Sequence, residues 1–133
     1  MNIETAGYIQ LAYAYSRLGL KDTAHKFFEH AIEETTSSIL SSPNNAPYYY
    51  QRATLKYEIH DYEGVVSDLD EAIRIAPQHI VYYDLRGLAK FRLNKYLDAA
   101  HDFREATRFP SSVYQQALLH LQLTEEWIQT SVP

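Results

Sequence analysis

Few residue types in this sequence could do covalent or metal chemistry, and their spacing argues against both. There is no cysteine, so a thiolate nucleophile, a thiolate metal site and disulfides are all excluded. The six histidines are His25, His30, His60, His79, His101 and His120. No two stand at the i, i+4 spacing of a helical metal site, and no HExxH sequence occurs. His101 and Asp102 are adjacent and would point to different faces of a helix. These histidines read as structural or solvent-exposed side chains. The pairs Ser37-Ser38 and Ser41-Ser42 lack a nucleophile elbow and an evident base. Gly7, Gly19, Gly64 and Gly87 make no phosphate-cradling loop. The acidic run Asp68-Leu69-Asp70-Glu71 reads most simply as solvated helix surface. The residues thus predict no enzyme, no cofactor and no metal.

What the chain does carry is a repeat. Laying 46–79 over 80–113, a shift of 34 residues, matches Tyr48/Tyr82, Tyr49/Tyr83, Arg52/Arg86, Lys56/Lys90, Tyr62/Tyr96, Asp68/Asp102, Glu71/Glu105, Ala72/Ala106 and Arg74/Arg108. Unrelated segments of that length would share about two residues at ordinary frequencies. A period in this range marks a helical array whose units bury their apolar faces against neighbours. A diverged first unit aligns at a shift of 41, with Tyr8 on Tyr49, Ala12 on Ala53, Phe28 on Leu69, Ala31 on Ala72 and Ile32 on Ile73. The seven extra residues fall near 34–42. Seven is almost two helical turns, so they can lengthen a helix without rotating its buried face, leaving Ile32 and Ile39 on one side.

Apolar periodicity places helices at about 3–18, 22–40, 47–59, 62–75, 80–93, 96–108 and 112–129. Ser41-Ser42-Pro43-Asn44-Asn45 breaks the chain, Pro47 suits a first helical turn, and Ala76-Pro77 and Phe109-Pro110 stop later helices. Three columns of small residues, Ala12/Ala53/Gly87, Ala24/Val65/Ala99 and Ala31/Ala72/Ala106, would let helices approach. The column Phe28/Leu69/Phe103 would fill the space between them. Antiparallel pairing brings Arg52 opposite Asp68 and Arg86 opposite Asp102. In the first unit both partners change together, to Leu11 and Phe27, as direct contact would require. The pair reads as a within-unit salt bridge, with a charged ligand pocket as the alternative.

On these residues the chain resembles the tetratricopeptide repeat family. The second unit reads Tyr49, Ala53, Tyr62, Val65, Leu69, Ala72, Pro77, and the third Tyr83, Gly87, Tyr96, Ala99, Phe103, Ala106, Pro110. The resemblance covers about residues 4–111. It departs where the family's turn glycine becomes His60 and Asn94, although Gly19 keeps it, and Pro110 arrives one residue early. It implies an all-α, right-handed α-solenoid in one domain over 1–133. Its units would be about 4–45, 46–79 and 80–111, followed by a capping helix at about 112–129.

The resemblance further implies that the first helix of each unit lines a concave groove for a peptide or a partner's helix. Carried onto this chain, the groove holds Ile9, Tyr13 and Arg17, then Tyr50, Thr54 and Tyr57, then Asp84, Leu88, Phe91 and Arg92. Spacing of i, i+4, i+7 sets Tyr50, Thr54 and Tyr57 on one face, and likewise Asp84, Leu88 and Phe91. These rings make either a ligand groove or interhelical core. Relatives that hold the carboxylate tail of heat-shock chaperones use lysines and asparagines in these columns. Here they hold Ile9, Tyr13, Gln51 and Asp84, so an apolar or aromatic segment suits the groove better than an acidic tail. On the last helix Tyr114, Ala117, Leu118, Leu121 and Ile128 form a capping stripe, while Leu119, Leu123 and Trp127 form a second one on the opposite side, either buried by the chain's own fold or joining two copies. The expected function is a non-catalytic adaptor binding a protein or peptide, the alternative a homo-oligomeric assembly module. A net charge of -5 with interspersed signs disfavours nucleic acid. Without a signal-like start or a span-length apolar stretch, the expected location is the cytoplasm, off the membrane.

Overall fold

A computed structural model of the chain describes residues 3–108 and 114–131, with Tyr114 described for its backbone only. These residues form seven α-helices: α1 (Ile3–Arg17), α2 (Lys21–Ser41), α3 (Ala46–Glu58), α4 (Tyr62–Ile75), α5 (Ile80–Arg92), α6 (Tyr96–Ala106) and α7 (Tyr114–Ser131). Each helix packs on the next, and α5 additionally touches α3 and α7. The result is an α-solenoid, in which α1, α3, α5 and α7 follow one another along one side.

The small-residue columns explain the packing. Ala12, Ala53, Ala31, Ala72, Ala106 and Ala99 have no exposed surface, and Ala24 and Val65 are buried with them. Phe28, Leu69 and Phe103 fill the seams. Gly87 is the tightest point, since a Cβ there would sit 2.5 Å from the Phe103 ring. The added residues of the first unit lengthen α2 to 21 residues. Ala24, Phe28, Ala31, Thr35 and Ile39 stay on its buried seam, and Ile39 enters the core of the second unit. Ile32 is half-buried beside the first unit's core.

The turns carry the conformation that the substituted glycines imply. His60 (φ 63°), Asn94 (φ 64°) and Gly19 (φ 78°) are all left-handed. Pro47 lies in the first turn of α3, and α4 ends at Ile75 ahead of Ala76-Pro77. The stop at Phe109-Pro110 lies outside the described residues.

Candidate binding groove

The arginine–aspartate pairs repeated at a 16-residue separation are scaffold. Arg52 donates from Nε and Nη2 to both Asp68 oxygens, at 2.9 and 2.6 Å, and Lys56 Nζ adds a third contact at 3.1 Å. Arg86, Lys90 and Asp102 repeat this at 2.8, 2.7 and 3.0 Å. The aspartates are buried, so each triad ties the two helices of its unit together. Asp68 therefore does not belong to a solvated acidic face; burial among two cations outranks the local run of acids, while Asp70 is exposed. In the first unit, Phe27 stacks on Tyr15 and Tyr8, the counterparts of Lys56 and Tyr49. All three triad members are thus exchanged for apolar or aromatic groups, with Leu11 partly exposed. Lys56 and Lys90 were visible as identities, one helical turn beyond each arginine.

Side chains of α1 and α3 line one shared hollow. Ile9 and Tyr13 from α1, with Tyr50, Gln51 and Thr54 from α3, line an open hollow of about 480 Å³ that Tyr48 and Pro47 extend. Burial, then Glu58 and Tyr50, push the Tyr13 phenol above its ordinary value. Burial, then Asp84, do the same for Tyr50, whose ring meets Tyr82 at 5.3 Å. Tyr57 is half-buried, edge-on to Tyr62 at 5.2 Å, and Phe91 repeats that contact with Tyr96 at 5.1 Å. Both rings are therefore partly packed between helices, and Phe91 also lines the hollow described next. Arg17 is exposed at the end of α1. Arg92 is also exposed and lies over the Tyr62 ring at 5.1 Å.

The third unit is shared with α7. Leu88 and Phe91 line a second, smaller hollow of about 150 Å³ with Phe103, His120, Leu123 and Thr124. Asp84 is buried and pairs with His120 Nδ1 at 2.9 Å. On α7, Ala117 and Leu121 are buried and Leu118 and Ile128 half-buried, so this stripe caps the third unit; the Tyr114 side chain lies outside the described residues. Leu119, Leu123 and Trp127 remain 51%, 53% and 48% exposed, and Trp127 touches Phe91 and Tyr96. His120, which lines the smaller hollow and holds Asp84, was missed in the sequence. It stands one period after Arg86, a signal available only if α7 is read as a fourth first-helix.

Among the described residues, no group of three His, Cys, Asp or Glu side chains could hold a metal ion, and no helix is long and apolar enough to cross a membrane. A family model described as tetratricopeptide repeat matches residues 6–35. No curated protein matches the chain in sequence. Among solved structures, it is similar to the first tetratricopeptide domain of Spaghetti (RPAP3) bound to an HSP90 peptide, SRMEEVD. The TM-score is 0.73 at 18% identity, over 94% of this chain and 93% of that one. The second such domain of human RPAP3, in complex with an HSP70 peptide, SGPTIEEVD, gives 0.68 at 23% identity, over 92% and 96%. The Yersinia enterocolitica type III secretion chaperone SycD, with a peptide of the translocator YopD, gives 0.63 at 8% identity, over 96% and 97%. A tetratricopeptide repeat is thus matched in the first unit, and the chain as a whole has the fold of tetratricopeptide repeat domains.

Proposed function

We propose that the protein is a non-catalytic interaction module that binds an extended peptide or a partner helix in its concave groove. The observation that carries this is the open hollow in which Ile9, Tyr13, Tyr50 and Thr54 converge from two units. Neighbours of the same fold are solved with peptides bound. Two of those peptides end in the acidic sequence EEVD. The groove here offers Ile9, Tyr13, Gln51 and Asp84 instead of a cationic clamp, which favours an apolar or aromatic segment. Tyrosines supply large contact area at low rotamer cost, with a hydrogen-bonding tip. The cytoplasm is the location in keeping with such an adaptor.

Selection of displayed random peptides on the immobilised chain tests this. Peptides that bind the wild type and lose binding to a folded Tyr50→Ala, Tyr57→Ala, Phe91→Ala variant support the groove. Peptides that bind both proteins equally would place recognition elsewhere.

A second reading, a homo-oligomer joined through α7, is favoured by the half-exposed Leu119, Leu123 and Trp127. It requires a mass that rises with concentration in sedimentation and falls to the monomer's in Trp127→Glu. A concentration-independent monomer rules it out.

A further inference from the structure

Three aspartates of this array are buried, and they are not equivalent. Asp68 and Asp102 each face an arginine and a lysine. Among the described residues, the ion-pair partner of Asp84 is His120 alone, and histidine is a full cation only when protonated. A buried carboxylate without a permanent counter-ion is costly. The same column avoids that cost elsewhere, with Ile9 in the first unit and Tyr50 in the second. Asp84 also lies at a junction. Its charge reaches the phenol of Tyr50, which lines the larger hollow, and it is bonded to His120, which lines the smaller. The Asp84 carboxylate, itself lining neither hollow, thus lies beside one lining residue of each, Tyr50 and His120.

We infer that Asp84 is a specificity-determining residue of the groove, selecting a partner segment that carries a lysine or arginine between two apolar side chains. The inference rests on the groove reading above. The partner's cation would give Asp84 a permanent counter-charge through a charge-assisted hydrogen bond. Its stem would lie against Tyr50, where an aromatic face attracts a cation. The flanking apolar groups would fill the hollows lined by Ile9 and Tyr13 on one side and by Leu88 and Leu123 on the other. An acidic segment meets the wrong sign at this point, and like charges brought together select against such a partner. The side chain of Asp84 keeps 9% of its surface exposed, and the ligand's donor would reach the carboxylate through that opening.

The test uses the full chain and three fluorescein-labelled peptide pools read by anisotropy. The pools have apolar and aromatic flanks and a central lysine, norleucine or glutamate. The lysine pool should bind about tenfold more tightly than the norleucine pool, and the glutamate pool most weakly. Asp84→Asn should bring lysine and norleucine level. His120→Lys, which gives Asp84 a permanent cation of its own, should do the same and serves if Asp84→Asn fails to fold. Lysine and glutamate pools binding alike, beside a norleucine pool that binds, would overturn charge selection and leave the groove standing. A glutamate preference would overturn it too. Absence of binding by every pool to the folded wild type would overturn both readings.

Discussion

At single positions, the clearest departures from local preference are the left-handed residues that end the first helix of each unit. Gly19, His60 and Asn94 have nearly the same φ, yet only glycine adopts it without steric cost; for other residues that cost is roughly 1–2 kcal/mol. A Cβ at Gly19 meets nothing within 4 Å, so a substitution there reports backbone strain alone. Gly19→Ala should lower stability by about 1 kcal/mol in urea denaturation. His60→Gly should raise it by a few tenths, since relief of strain is offset by chain entropy and by loss of the ring's stacking on Tyr62. Equal stability of Gly19→Ala and wild type would contradict the assigned turn. These positions were legible because the repeat aligns them in one column. Asp84–His120 was not, since the pair spans 36 residues and its α7 half lies beyond the last clear repeat.

Between elements, the structure is set by size and charge columns, and the charge columns are repeated in the second and third units and replaced in the first. Gly87 faces the ring of the buried Phe103, so Gly87→Ala must displace that ring. The expected loss is about 1–2 kcal/mol, overpacking outweighing the better helix propensity of alanine. Adding Phe103→Leu, the residue pairing of Ala53 with Leu69, should restore part of it. The charged seam is tested the same way. Arg86→Leu leaves Asp102 buried with Lys90 as its remaining cation partner, and should cost about 3 kcal/mol. Arg86→Leu with Asp102→Phe should recover part, and Lys90→Tyr should recover more, because the first unit replaces all three. A double-mutant cycle without coupling would refute the contact. Helix limits were read from the sequence to within about two residues, as periodicity and prolines define them. The third member of each triad was not, because a repeated lysine does not announce its partner.

Over the whole molecule, tyrosine is used in two ways, and alkaline titration separates them. Tyr13, Tyr50, Tyr57 and Tyr82 come from three units, and burial raises the phenol of each above its ordinary value of 10.0. Nearby carboxylates add to this at Tyr13 and Tyr50, while Arg92 works against it at Tyr57. Folding therefore favours the neutral phenols. Their contribution to stability is complete below pH 10.0 and is lost as pH climbs through the higher folded values. Absorbance at 295 nm should resolve a late-titrating group of tyrosines in the native protein, merging with the rest in denaturant. Tyr13→Phe with Tyr50→Phe should shrink that late component and lessen the fall in stability above pH 10.0. Should all tyrosines titrate together near the ordinary value in the folded protein, the concave rings would be solvated, and the groove would lack the desolvated floor on which its proposed selectivity depends.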